Sequence, residues 1–249
     1  MRTILAFTLI IGFLLFGYIL LGIFWIIDKF APGSTDLCQL RIVQFILKGV
    51  GFLAGAKVTW IGEENVPKDE AVLYVANHRS MFDIILTYAR VPNLTGYISK
   101  IGVKKVPALR AWMKRLHCLF MDRDDIKQSL MVILEAIDLV KNGTSVFIFP
   151  EGTRNRERED TANVLDFKDG SFKVAQKTGC KIIPVAITGS ASIFETQFPW
   201  VKKRTVILEY GKPILLSDLS KEEQKHSGAY FQNKIHEMLE EHKNMIANR

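Results

Sequence analysis

Two short stretches hold the residue types of acid–base and anion chemistry. In the first, Asn77-His78-Arg79-Ser80-Met81-Phe82-Asp83 follows an apolar β-type run, Val72 to Ala76, which puts a histidine in a strand-to-helix turn and an aspartate in the first helical turn. A histidine held by a carboxylate can serve as general base, because an unperturbed pKa of about 6.5 leaves imidazole mostly neutral at pH 7. Asp83 would fix the ring tautomer and stabilise the imidazolium. No nucleophilic serine or cysteine pairs with His78, so the chemistry is activation of a substrate hydroxyl rather than formation of an acyl-enzyme. On these residues alone a structural role for the pair stands beside the catalytic one. A second H-x4-D, His117 to Asp122, brackets residues 118–121, which read as a strand. Positions five apart on a strand point to opposite faces, so that pair does not meet.

The second stretch, Val146-Phe147-Ile148-Phe149-Pro150-Glu151-Gly152-Thr153-Arg154, is again an apolar strand running into a turn. Gly152 allows close backbone approach, Arg154 can grip a phosphate bidentately, and Glu151 is left for a cation or a hydroxyl. The plainer alternative is a turn with a surface ion pair. Each turn follows a strand, and parallel sheets gather sites at the carboxyl ends of their strands, so both turns could line one edge.

The elements that position them read as an α/β fold. Strands are expected at Val58 to Ile61, Val72 to Ala76, Leu94 to Ser99, Cys118 to Met121, Val146 to Phe149, Ile182 to Thr188 and Thr205 to Glu209. The clearest helix runs from Ile126 to Lys141, opened by Asp124-Asp125 and closed by Asn142-Gly143. Strands alternating with helices predict a largely parallel sheet covered by helices on both faces. The Lys221 to Arg249 tail, rich in Glu and Lys, reads as a solvated helix.

Ahead of this domain, residues 57–249, lie two apolar stretches within residues 1–56. Ile4 to Ile27 holds no charge and as a helix would be roughly 36 Å long, against a hydrocarbon core of about 30 Å. It is too long for a secretory signal and has no small-residue cleavage site, so it stays on the mature protein. After a breaker with Pro32 and Gly33, Leu37 to Ala56 is apolar except for a stripe of Arg41, Gln44 and Lys48, the pattern of a helix lying at a membrane surface, with a core helix as the alternative.

With 249 residues, 48% hydrophobic and 24% charged, the chain excludes disorder and collagen-like or disulfide scaffolds. The thiols Cys38, Cys118 and Cys180 have no metal-ligand spacing and read as small buried hydrophobes. Between Asp83 and Asp122 no acidic residue occurs, while Arg90, Lys100, Lys104, Lys105, Arg110, Lys114 and Arg115 do. No nucleic-acid-binding motif accompanies this block, which fits an anionic membrane better. Lys29, Arg41, Lys48 and Lys57 follow the apolar run and only Arg2 precedes it, so the positive-inside tendency puts the catalytic domain in the cytoplasm, at the inner membrane if the cell is bacterial.

These residues resemble the glycerophospholipid acyltransferase family, most closely its 1-acyl-glycerol-3-phosphate acyltransferases. Asn77-His78 through Asp83 is similar to the family's NHx4D block and Phe149 through Asn155 to its FPEGTR block. Phe120-Met121-Asp122-Arg123, Phe167-Lys168-Asp169-Gly170 and Ile183-Pro184-Val185-Ala186 resemble further blocks, and the likeness spans roughly Lys57 to Glu209. The chain departs from the pattern at Lys100-Ile101-Gly102-Val103 and where His117 or Cys118 replaces the glycine before the Phe-Met-Asp-Arg block. The resemblance implies a catalytic pair of His78 and Asp83. It also implies an acceptor phosphate held by Arg154, Arg123 and the turn Glu151-Gly152-Thr153, with Lys100 and Lys105 as further candidates. The acyl donor would be an acyl carrier protein or coenzyme A thioester and the acceptor lysophosphatidic acid, with no metal and no bound cofactor. Acylation of glycerol-3-phosphate or another lysolipid, a non-catalytic lipid-binding protein at the membrane surface, and a thioesterase-like hydrolase are the alternatives.

Overall fold

The computed structural model describes residues 1–157 and 162–247. In chain order the elements are α1 (Arg2–Phe30), α2 (Asp36–Ala54), β1 (Ala56–Ile61), β2 (Leu73–Ala76), α3 (Met81–Tyr88), β3 (Thr95–Lys100), α4 (Pro107–Arg115), β4 (Leu119–Met121), α5 (Ile126–Lys141), β5 (Ser145–Ile148), α6 (Lys173–Thr178), β6 (Ile182–Thr188), β7 (Arg204–Tyr210), α7 (Lys221–Lys225) and α8 (Ser227–Ala247). The strands form one 7-stranded sheet in the order β1-β7-β6-β2-β5-β3-β4. β2 pairs in parallel with β5 and β6, and β3 with β5 and β4, so the carboxyl ends of these strands share one edge. β7 runs antiparallel to β6 and carries β1 with it. The expected α/β class with a largely parallel sheet holds, and all the expected strands are present. α5 spans the expected residues because the Asp125 carboxylate accepts the Lys127 and Gln128 amides at its start.

Central strands are buried on both faces, and register turns this into ladders. Tyr74 and Tyr97 each face Phe147, and the rings stack at 5.4 Å and 4.5 Å between centroids. α2 and α3 cover this face, while α5, α6 and α8 cover the other. The C-terminal helix is therefore not simply solvated. α8 buries Phe231, Ile235, Met238 and Leu239, and its buried His242 bridges Thr188 at 2.9 Å and Glu209 at 3.0 Å.

The change at residue 56 is one of sequence character rather than of packing. Leu40, Val50 and Ala54 of α2 join the same core as Phe82, Leu86 and Val91. The Arg41, Gln44, Lys48 stripe is not a single solvated face either. Gln44 is buried and donates to the Tyr88 and Val91 carbonyls at 3.2 Å and 2.7 Å, satisfying backbone acceptors at the end of α3 and in the loop that leaves it. Arg41 and Lys48 instead share the outer face with exposed Leu37, Phe45 and Phe52.

α1 crosses α4 at Gly17, where a Cβ would stand 2.6 Å from Trp112 Nε1, so only glycine admits this approach. Phe13 and Phe24 flank the same indole. An ion pair and a hydrogen bond pin the α1–α2 connection, Asp28 to Arg115 at 2.5 Å and Asp36 to His117 at 2.9 Å. Both helices are long and apolar enough to cross a membrane. Of the thiols, only Cys118 is buried, with its pKa pushed up to about 12 by that burial, whereas Cys38 is exposed.

Candidate active site

His78 leaves the carboxyl end of β2, beside the ends of β5 and β6. The turn is held first by Asn77, whose amide takes the Ile187 N–H and donates to the Ile187 carbonyl, both at 2.9 Å. Ser80 then caps α3 by accepting the Phe82 amide at 2.9 Å. Asp83, in the first turn of α3, folds its carboxylate back over that cap. Its Oδ2 accepts the Arg79 amide at 2.7 Å, the Ser80 amide at 2.8 Å and His78 Nδ1 at 2.8 Å, while Oδ1 accepts the Ser190 hydroxyl. Asp83 is 0% exposed, so these donors take the place of water around the carboxylate.

A carboxylate facing Nδ1 puts the imidazole proton there and leaves Nε2, across the ring, as an acceptor able to take a hydroxyl proton. The ring lies on Phe149 with centroids 4.1 Å apart. Both backbone groups of His78 are bonded to the neighbouring turn: its N–H donates to Glu151 Oε1 at 2.5 Å, and its carbonyl accepts the Asn155 amide at 2.7 Å. The base is thus fixed through ring, amide and carbonyl, which matters where an error of about 1 Å costs roughly a hundredfold in rate.

Glu151 departs from the expected role. It is 5% exposed, and its second oxygen accepts the Leu165 amide at 3.0 Å, so the carboxylate braces two segments against the His78 turn instead of facing a hydroxyl or cation. Burial pushes its pKa up to about 7, opposed by the Leu165 and His78 amides. Gly152 sits at φ 72, in the left-handed region, and a Cβ there would lie 3.2 Å from Lys168 Nζ. Arg154 and Lys168 therefore flank this turn with positive charge, and Thr153 beside them is exposed. Arg154 pairs with Glu195 at 3.2 Å.

Lys100 ends β3 and is exposed, Lys105 closes the short 3-10 turn after it, and Arg123 follows β4, all on the same sheet edge as His78. Among the described residues no hydrogen bond or ion pair joins any of the three to the His78 or Glu151 turn. Burial lowers the pKa of the half-buried Arg123 guanidinium. His117, of the second H-x4-D, bonds Asp36 instead of Asp122; it lies in the turn before β4 with a left-handed φ of 56.

Several residues of the site escaped sequence reasoning. Arg79 is buried and donates to the carbonyls of Glu157 at 2.8 Å and Asn163 at 2.6 Å, tying both residues to the His78 turn. Ser190 and Glu195 come from the segment after β6, more than a hundred residues from the turn they touch, and no local spacing marks them. Asn155 sits beside the FPEGTR block, so its signal was present.

A family model described as Acyltransferase matches residues 57–188. The chain is 35% identical to a probable 1-acyl-sn-glycerol-3-phosphate acyltransferase of Mycoplasma pneumoniae over 68% of this chain and 62% of that protein. It is 33% identical to the chloroplastic 1-acyl-sn-glycerol-3-phosphate acyltransferase LPAT1 of Arabidopsis thaliana over 56% of this chain and 38% of that one. The chain thus spans about three-fifths and two-fifths of the length of these relatives. The crystal structure of the 1-acyl-sn-glycerophosphate (LPA) acyltransferase PlsC from Thermotoga maritima superposes with a TM-score of 0.69 at 26% identity, covering 97% of this chain and 98% of that one. The family model alone takes in more than half of the sequence, including both turns around His78, and on that ground this chain belongs to the acyltransferase family.

Proposed function

We propose that this protein transfers a fatty acyl group from a thioester to the 2-hydroxyl of 1-acyl-glycerol-3-phosphate, yielding phosphatidic acid. The observation that carries this reading is the partly exposed His78 held by the buried Asp83 and braced beside the turn that bears Arg154. His78 Nε2 takes the hydroxyl proton as the oxygen attacks the thioester carbonyl. The tetrahedral intermediate then expels the thiolate, whose conjugate acid has a pKa of about 8.5 if it resembles cysteine, and the imidazolium returns the proton to it. Asp83 holds the tautomer and offsets the transient positive charge. Arg154 grips the acceptor phosphate bidentately, and Lys168 adds a second cation over the Gly152 turn.

Both acyl chains belong at a membrane, which suits the exposed apolar length of α1 and the Phe-and-basic outer face of α2. In this reading the helices anchor the enzyme with its catalytic domain at the cytoplasmic surface, and Lys100, Lys105 and Arg123 add positive charge along the same sheet edge. The donor is an acyl carrier protein or coenzyme A thioester.

The test mixes the purified full-length protein in lipid–detergent micelles with lysophosphatidate, glycerol-3-phosphate or lysophosphatidylcholine, each with both thioester donors, and follows products by mass spectrometry. Phosphatidic acid formed from lysophosphatidate well ahead of the other acceptors is the expected result. Free fatty acid released without an acceptor would make the protein a hydrolase, and no turnover with any pair would leave a lipid-binding protein.

A further inference from the structure

Glu195 stands in the turn after β6, and its carboxylate gathers three donors. Oε1 accepts the Met81 amide at 2.7 Å and lies 3.2 Å from Arg154 Nη1, while Oε2 accepts the Ser80 hydroxyl at 2.6 Å. The donors are the first amide of α3, the hydroxyl that caps it and the guanidinium assigned above to the acceptor phosphate. One cation, one positive helix end and one hydroxyl would serve a phosphate oxygen as well as they serve a carboxylate. The surrounding backbone is anchored, with Phe194 on Phe7 of α1 at 5.9 Å and the Val201 amide on Thr3 Oγ1 at 2.9 Å. Any exchange at Arg154 is therefore a side-chain rotation. It is a cheap one, because the two side chains are 43% and 21% exposed and water screens the pair.

We propose that Glu195 is the internal counter-ion of the acceptor site: it holds Arg154 until the phosphate arrives, must then release it, and so sets the affinity for the phosphorylated acceptor. This rests on Arg154 being the phosphate ligand. A phosphate entering beside a carboxylate that stayed in place would meet a like charge a few ångströms away. Displacement is thus part of binding, and removing the charge makes binding tighter.

Glu195→Gln tests this, since its amide oxygen can still accept from the Met81 amide and its NH2 can donate to the Ser80 hydroxyl, while the charge is gone. The exchange of an exposed ion pair predicts a lysophosphatidate KM about two- to fivefold lower, with kcat and donor KM unchanged. Inorganic phosphate, used as a probe, becomes a competitive inhibitor stronger by the same factor. An unchanged or raised acceptor KM in Glu195→Gln overturns the proposal, because Glu195 then orients Arg154 instead of competing for it. Arg154→Ala, measured alongside, separates the two layers. If it leaves the acceptor KM unchanged, the phosphate assignment fails and the counter-ion role falls with it. If it raises that KM while Glu195→Gln does not lower it, the counter-ion role fails alone.

Discussion

Glu151→Gln isolates the buried brace of the site. The Glu151 carboxyl has an ordinary pKa of 4.5, pushed up to about 7 in the folded protein because burial outweighs the amides of His78 and Leu165 that favour its charge. The folded state therefore keeps a proton that the unfolded chain has already lost across that window, and stability falls as pH rises through it. At about 1.4 kcal/mol for each tenfold, the contribution is about 3 kcal/mol, fully present below pH 4.5 and gone above about pH 7. The assay is urea unfolding of the full-length protein in detergent micelles, followed by tryptophan fluorescence at intervals from pH 4.5 to 8, for wild type and Glu151→Gln. The quantity to plot is the wild-type stability minus that of the variant, which removes every other titration. It should fall by about 3 kcal/mol from the acid end to the neutral end. A flat difference would mean that Glu151 is not desolvated. A rising one would mean that the two amides outweigh burial and that Glu151 stabilises the fold as an anion, the opposite of the sign expected.

Loss of the base in His78→Ala should cost about 100- to 10,000-fold in turnover with an unchanged circular dichroism spectrum, and retention of more than half the wild-type turnover would remove His78 from the role. Asp83→Asn should also be severe, because an amide oxygen can still accept from Nδ1 but cannot offset an imidazolium; His117→Ala, which breaks only the contact with Asp36, should lose far less. Arg154→Ala should raise the acceptor KM roughly tenfold, as expected for charge-assisted bonds of about 1.5 to 3 kcal/mol, and a raised donor KM with an unchanged acceptor KM would put the carrier's phosphate on Arg154 instead. Leu40→Ala should destabilise the whole protein by about 2 to 5 kcal/mol in the same urea assay, since Leu40 is 0% exposed within the core shared with α3, and a change under about 0.5 kcal/mol would make α2 a detachable anchor.

The sheet was readable because its strands are short apolar runs between breakers, and burial on both faces leaves few residues to confuse the pattern. α2 was harder. Its face toward the domain carries Gln44, a polar residue used to satisfy carbonyls, and its face away carries Phe45 and Phe52, so the hydropathy of the segment points the wrong way for its packing. The tail misleads in another way, because Glu and Lys are frequent from Lys221 to Arg249 while Phe231, Ile235 and Met238 of α8 close the sheet. In both helices the missing information was which face a partner covers, and a partner lies elsewhere in the chain.

The site divides along the same line. The H-x4-D spacing follows from helix capping: Ser80 is the cap, Asp83 is the acidic residue three positions on whose carboxylate returns to the cap amide, and His78 lies two residues ahead of the cap, where that carboxylate also reaches Nδ1. The dyad is thus a capping box extended by two residues, which is why its geometry could be argued from local sequence. It is also why His117 and Asp122 fail at the same spacing, since no cap turns Asp122 back toward the ring. Ser190 on the far oxygen of Asp83, Glu195 on Arg154 and the two backbone bonds from His78 to the β5 turn are long-range contacts created by strand order. Local sequence chose the chemistry, and topology made it rigid. A change at Ser190 or Asn155 should therefore act through the orientation of His78, without removing any group that meets the substrate.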